Sequence, residues 1–317
     1  MPTACRSSLI NLQNIDFKDT TNSLAPEASL TPSDRLVESI SRAGILHPPI
    51  LKEQGTSVLQ IVAGRRRILA AQQAHRISSC ICLILPAETS TAETLGLSLE
   101  DTLLRGEASA IEQAIFFQKI LEVMDEQAAC SFLPTLGLEP HPVNMKKLLR
   151  LLDLEEHLLL ALHQGFLHDG VARELLSCSF TDRMSLFEVM DLLKLSVSNQ
   201  KKLTVTCREL ASRNNSSVMG ILGQTVVREI LEHPEANVPQ KTAKLMQWLS
   251  EQRYPRLYAA EYEFRQFSAS LKLPQEVSVS HAPSFEQDQI ELTIAFRNRK
   301  ELAGIWPHIA RVLQQKD

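Results

Sequence analysis

The chain has 317 residues, 44% of them hydrophobic, which is enough material for two or three packed domains. Its net charge of −4 and aromatic content of 5% argue against a globally basic nucleic-acid binder and against single-strand binding by base stacking, so any such surface must be a local patch. The N-terminal "MPTACRSSLINLQN" lacks the apolar core of a signal peptide, and no run approaches the ~20 apolar residues of a membrane span, so a cytoplasmic protein without membrane contact is expected.

Residues 1–30 read as an N-terminal arm, with "SLINLQNIDF" as one edge strand. "TPSDRLVESISRAG" reads as a helix with Thr31 as N-cap, Pro32 at the first helical position and Gly44 as its stop. "ILHPPIL" is extended because each proline pushes its predecessor out of the α region. "SVLQIVAG" is a strand, "RRRILAAQQAHR" a helix, and "SSCICLILP" a strand closed by Pro86. That last strand places Cys80 and Cys82 on one face. The six cysteines have no second CxxC and no nearby His pair, so they read as buried thiols rather than a zinc site.

From about residue 90 the pattern turns helical. "SAIEQAIFFQKILEVMD", "VNMKKLLRLLDLEEHLLLALHQG" and "DRMSLFEVMDLLKL" carry apolar residues at helical spacing, with breaks at Gly137, at Pro140 and Pro142, and at Gly165. "ASRNNSSVMG" and "EHPEANVPQK" are the stretches most like linkers. Near the C-terminus, "RLYAAEYEFRQFSASLKLP" reads as a helix ended by Pro274, and "EVSVSH" alternates with period two. In "IELTIAFRN", Ile290, Leu292, Ile294 and Phe296 share one face. "RKELAGIWPHIARVLQQ" closes the chain as a helix bent at Pro307. These ~60 residues have two apolar faces and too little mass to stand alone, so pairing with a second copy is expected.

"VAGRRRILAA" is the most unusual stretch, because three arginines follow a glycine where a strand becomes a helix. A helix N-terminus offers unpaired N–H groups and favours an anion. Gly64 removes the side chain that would block close backbone approach, and arginines supply forked donors for phosphate oxygens. The combination suits a polyphosphate; the alternative is a solvated basic turn.

Three segments in order extend this reading: "LVESISRAGILHPPIL", "LQIVAGRRRILAAQQA" and "DTLLRGEASAIEQA". They resemble the partition protein B (ParB) family, with its GxxQP, GERRxxAA and ENxxRxxLxxxE segments. "LLRLLDLEEHLLLALHQGFLHDGVARELLS" is similar to the family's helical DNA-binding region, and the C-terminal helix–hairpin–helix to its dimerisation domain. The resemblance implies an α+β chain. A ParB/sulfiredoxin-like N-terminal domain would span 31–106, and an all-helical, helix-turn-helix-like region 107–195. A helical connector over 196–254 and an αββα dimerisation-like domain over 255–317 would follow.

It also implies a CTP site with Mg²⁺. Gly44, His47, Gly64, Arg65, Arg66, Arg67, Thr102 and Arg105 fall on the nucleotide segments, and Asp101 and Thr102 on the metal position. Arg66 and Arg67 match the family's arginines, and Arg105 and Glu112 its later Arg and Glu. Arg65 replaces a glutamate linked to hydrolysis, so at most weak CTP hydrolysis is expected. His47 replaces the glutamine before the proline, and Asp101 and Thr102 replace a Glu–Asn pair.

In the DNA-binding region, "PVNMKKLLRLLDL" places Asn144, Lys146 and Lys147 in the first turns of a helix, with Arg150 one turn on and Arg173 on a later helix. Polar reach at the N-terminal end with Met145, Leu148, Leu149 and Leu152 behind is the layout of a recognition helix. A surface helix with solvated lysines is the plainer alternative. The preceding "CSFLPTLGLEPHP" carries Pro134 and Gly137, which would break or shift the supporting helix. The implied function is a dimeric, nucleotide-responsive clamp on double-stranded DNA. It would serve chromosome or plasmid partition or gene regulation, near the nucleoid, with a ParA-like ATPase as partner. Two other classes compete: a small-substrate enzyme of the sulfiredoxin, serine-kinase or nuclease type, and an interaction protein without nucleotide. "GRRR" has no cysteine for the first enzyme type, and Arg65 occupies the place of a kinase carboxylate.

Overall fold

The computed structural model describes residues 5–55, 58–74, 77–271, 277–281 and 289–314, with the side chains of the last helix through residue 307. The chain divides into two compact units, residues 1–204 and 205–317.

The first unit opens on a five-stranded sheet. β1 (Arg6–Asn11) is followed by a 3₁₀ turn at Leu12–Asn14 and by β2 (Ile15–Asp16). Next come α1 (Asp34–Ala43), β3 (Ile50–Glu53), β4 (Leu59–Ala63), α2 (Arg65–Gln73), β5 (Ser79–Leu85) and α3 (Thr91–Leu103). The strand order is β1-β5-β3-β4-β2. β1 runs antiparallel to β5, β3 parallel to β5 and antiparallel to β4, and β2 parallel to β4. The "SLINLQNIDF" stretch is therefore two strands, one at each edge, rather than one. The Asn11 side chain accepts from Gln13 N at 2.9 Å and buried Leu12 pins the turn between them.

The helix expected to start at Pro32 begins two residues later. Ser33 is the N-cap, in extended geometry, and its Oγ accepts from Leu36 N; Pro32 is buried ahead of the helix instead of opening it. The core between sheet and helices gathers Leu51, Ile61, Ile68, Ala70, Ala71, Cys82 and Ile84. The Cys80 and Cys82 thiols lie on the same inward face, 3.5 Å apart, and both are free. Of the helix read as "RRRILAAQQAHR", His75 and Arg76 lie outside the described residues.

The rest of this unit is helical. It comprises α4 (Ala110–Ile120), α5 (Glu126–Ala129), a 3₁₀ segment at Cys130–Leu136, α6 (Pro142–Leu149), a second 3₁₀ segment at Arg150–Asp153, α7 (Glu156–His163), α8 (Asp169–Leu175) and α9 (Phe180–Leu192). α10 (Val197–Arg213) crosses into the second unit. The Pro134 stretch forms a 3₁₀ helix ended by Gly137 at φ 71°, a tightened turn that tolerates proline where an α-helix would not. "LLRLLDLEEHLLLALHQG" is not continuous. Leu154 and Glu155 are extended and split it, and neither is a residue type that announces a break. Gln200, fully buried, donates to the Phe166 and Leu195 carbonyls and accepts from His168 N, so one amide ties two inter-helix turns together.

The second unit carries α11 (Val218–Leu222), α12 (Thr225–Glu232), α13 (Val238–Arg253), α14 (Pro255–Ser270), β6 (Val277–His281), β7 (Ile290–Ile294) and α15 (Arg299–Gln314). Pro274 lies outside the described residues. β6 and β7 form an antiparallel hairpin that pairs Val277 with Ile294, Val279 with Leu292 and His281 with Ile290. The strand stops at Ile294, short of Phe296, and α15 continues through Pro307.

Candidate functional site

The arginine turn is built by Gly64, which ends β4 and caps α2 in the left-handed region at φ 87°, ψ 17°. α1, α3 and α4 are capped by the side chains of Ser33, Ser90 and Ser109, whereas no side chain caps α2. Of its first-turn N–H groups, that of Arg67 donates to the Gly64 carbonyl at 3.0 Å, and those of Arg65 and Arg66 have no partner among the described residues.

The three arginines diverge. Arg67 donates from Nη1 to the His47 carbonyl at 2.6 Å and from Nη2 to Asp101 Oδ1 at 2.9 Å. Arg105, beyond the end of α3, reaches Asp101 Oδ2 at 3.6 Å and donates to the Asp101 carbonyl and to Thr102 Oγ1 at 3.1 and 3.0 Å. Arg66 is exposed at the open end of α2. Arg65 takes a different course: half-buried, it donates from Nη1 to the Phe17 carbonyl at 2.9 Å, near Asp16 and Asp19. This differs from a cradle of three arginines, because Arg65 is committed to the N-terminal arm. Gly44 closes α1 at φ 72°, and the exposed His47 engages the site through its carbonyl.

A further group lies alongside. Ser109 Oγ is 3.1 Å from His163 Nδ1 at the end of α7, and accepts from Glu112 N at 3.2 Å; Glu112 in turn accepts from Ser109 N at 2.9 Å. Burial draws the His163 imidazole below its ordinary pKa. Glu112 pulls it upward, and the positive charges of Arg66 and Arg105 add to the fall. With a proton on Nε2, Nδ1 accepts the Ser109 hydroxyl proton while the Ser109 oxygen accepts from Glu112 N. The S-x-x-E spacing of "SAIE" announces Ser109 as a cap, but nothing local marks His163, 54 residues away.

The donor set does not fit a divalent cation in this arrangement. Both Asp101 oxygens face guanidinium groups, and buried Thr102 donates its hydroxyl proton to Ser98 O at 2.9 Å while accepting from Arg105. A cation there would meet one carboxylate already neutralised by two arginines.

The residues expected at DNA lie on the helical part of the same unit. α6 starts at Pro142 with the His141 ring as cap, and buries Met145 and Leu148. Asn144 Nδ2 donates to the Glu139 carbonyl at 3.1 Å, and Lys146 pairs with Glu126 at 2.9 Å. Lys147 and Arg150 are exposed and have no ion pair among the described residues. Arg173 sits on α8, paired with Asp169 at 3.1 Å, and no hydrogen bond or ion pair joins it to α6 among the described residues. No helix among those residues is long and apolar enough to cross a membrane.

No protein-family model matches the chain. It is 27% identical over 168 residues to the probable chromosome 1-partitioning protein ParB of Deinococcus radiodurans, covering 53% of this chain and 56% of that one. It is 30% identical over 182 residues to the chromosome-partitioning protein Spo0J of Thermus thermophilus, covering 52% and 64%. The match thus spans between half and two thirds of the length of these relatives. A solved C-terminally truncated ParB from Caulobacter crescentus, complexed to the centromeric parS site, overlaps at a TM-score of 0.35 and 21% identity, over 62% of this chain and 98% of that chain. That overlap is too weak to argue from; in sequence, the chain is similar to ParB-type chromosome-partitioning proteins over about half its length.

Proposed function

We propose that this protein is a ParB-type DNA-binding protein of chromosome or plasmid partition, whose N-terminal part binds a nucleoside triphosphate at the arginine turn. The observation that carries the reading is the uncapped N-terminus of α2. Gly64 makes room for the Arg67 guanidinium, the Arg65 and Arg66 amides are open, Arg66 is exposed, and Arg67 and Arg105 are held beside it by Asp101. CTP is the nucleotide that the family resemblance implies. The residue linked to hydrolysis in the family is here Arg65, so binding without turnover is the expected behaviour. Calorimetric titration with CTP, ATP and GTP, with and without Mg²⁺, tests the site. Arg66→Ala is expected to weaken CTP binding by about 1.5–3 kcal/mol, the worth of a charge-assisted bond. Equal, negligible heats for wild type and variant would sink the assignment.

The duplex-DNA surface is assigned to α6. Lys147 and Arg150 are ready to meet phosphate, whereas Lys146 and Arg173 must first leave their carboxylates. Each phosphate contact contributes about −0.9 to the slope of log affinity against log salt, so two contacts give about −1.8 and four about −3.6. Lys147→Ala is expected to make the slope shallower by about 0.9, read by fluorescence anisotropy on random duplex. Binding unchanged by Lys147→Ala/Arg150→Ala would take α6 out of the interface.

Dimerisation through residues 255–317 completes the clamp. The hairpin leaves Ile290 and Leu292 more than half exposed, and α15 does the same with Trp306. A second copy would cover these faces. Light scattering of the full chain is expected to give twice the monomer mass at micromolar concentration, and the monomer mass for Leu292→Glu. A monomeric wild type under those conditions contradicts the assignment.

A further inference from the structure

Residues 16–24 form a strap that crosses the first unit, held by side chains from α2, α3 and α4 and by its own Asn22 against β4. From α2, Arg65 donates to Phe17 O at 2.9 Å. From α4, the Lys119 ammonium donates to the carbonyls of Thr20, Thr21 and Ser23 at 2.6, 3.0 and 2.8 Å, using all three of its protons. From α3, Ser98 Oγ donates to Asn22 O at 2.7 Å, and buried Asn22 reaches the Ile61 carbonyl on β4 at 3.3 Å. Within the strap, Asp16 Oδ1 accepts from Lys18 N and Asp19 N, and Asp19 Oδ1 from Thr21 N.

The electrostatics bind these contacts into one unit. Burial pushes the Asp19 carboxyl up, yet the Thr21 hydroxyl and amide, the neighbouring Gln60 and the Arg65 charge outweigh it and hold Asp19 below its ordinary value. Burial draws both Arg65 and Lys119 down, and the Asp19 charge opposes the fall in each. Asp19 thus feels two half-buried cations, one on α2 and one on α4, from beyond ion-pair distance.

The geometry points to Arg65 as a positioning residue of the arginine turn: with Lys119 it pins the 16–24 strap between α2 and α4, and so fixes the turn from which Arg66 meets phosphate. The inference rests on the nucleotide reading given above. It assigns the first arginine of "GRRR" to the scaffold and not to the ligand.

The test uses the full chain and two readouts: tryptic cleavage after exposed Lys18, followed by mass, and calorimetric affinity for CTP. Arg65→Gln and Lys119→Met are each expected to speed cleavage at Lys18 about tenfold, as loss of a charge-assisted anchor opens the strap. Each should also weaken CTP binding several-fold. The double variant should add little to the stronger single, because both act through one unit. Arg65→Lys, which keeps the charge and one donor, should recover most of the protection. Arg66→Gln should weaken CTP binding and leave Lys18 cleavage at the wild-type rate. CTP binding weakened in Arg65→Gln with cleavage unchanged would make Arg65 a direct ligand and overturn the inference. So would faster cleavage with unchanged affinity, which leaves the strap structural only. Failure of wild type to bind CTP at all removes the underlying nucleotide reading, and the wild-type titration alone reveals it.

Discussion

Replacing Gly64 by alanine is expected to destabilise the first unit by about 2–4 kcal/mol and to remove nucleotide binding with it. Two costs coincide. The residue sits at φ 87°, where an L side chain strains the backbone by roughly 1–2 kcal/mol. A Cβ there would also meet Arg67 Nη2 at 3.0 Å, Arg67 Cζ at 3.1 Å and Pro49 Cβ at 3.1 Å. Arg67 cannot yield freely, because it is fixed to the His47 carbonyl and to Asp101. Thermal unfolding of Gly64→Ala beside Gly137→Ala separates the terms. Gly137 has a similar left-handed backbone, φ 71° and ψ 19°, but nothing within 4 Å of the added carbon, so it should lose only the backbone part. Equal losses at the two positions would show that the crowding at Gly64 is relieved without cost.

Phe116→Ala is expected to be costlier still, about 3–5 kcal/mol, or a fall in Tm of roughly 6–20 °C for a unit of this size. The ring is fully buried on α4. It meets Phe117 edge-on at 5.3 Å and Phe132 at 5.0 Å between centroids. Phe132 belongs to the 3₁₀ segment that leads to α6, so the cavity would loosen the support of the helix proposed to meet DNA as well as the core. The variant should therefore lose duplex binding at temperatures where the fold still holds, whereas exposed Val143→Ala on α6 should change stability by less than about 0.5 kcal/mol. A Tm within 2 °C of wild type for Phe116→Ala, in the sense of roughly 1 kcal/mol or less, would contradict this packing.

The strands and helices around the site were legible because their signals are local. Short apolar runs ended by Gly64 and Pro86 gave β4 and β5, the glycine before three arginines gave the start of α2, and Gly137 and Gly165 gave helix ends. What escaped depends on partners distant in sequence. Arg65, Arg66 and Arg67 are indistinguishable as letters; only Phe17 and Asp101, 48 and 34 residues from their respective arginines, send the first and third to different tasks. The break at Leu154–Glu155 was hidden because a leucine and a glutamate are ordinary helix residues, and their extended backbone is imposed by packing. The Asp101–Thr102 pair illustrates the same point. A carboxylate beside a hydroxyl reads as a cation site until the two arginines that occupy it are brought in by the fold.

The placement of β1 and β2 at opposite edges of the sheet bears on how the molecule assembles. β1 must wait for Ser79–Ile84 and β2 for Leu59–Gln60, so neither of the first strands synthesised can pair until a strand far later in the sequence has been made. Such long-range closure is slow, and until it occurs both borders of the sheet stand open to other chains. One short segment thus guards two aggregation-prone flanks. Removing residues 1–16 would uncover both at once, which makes the amino end a poor place to shorten this protein.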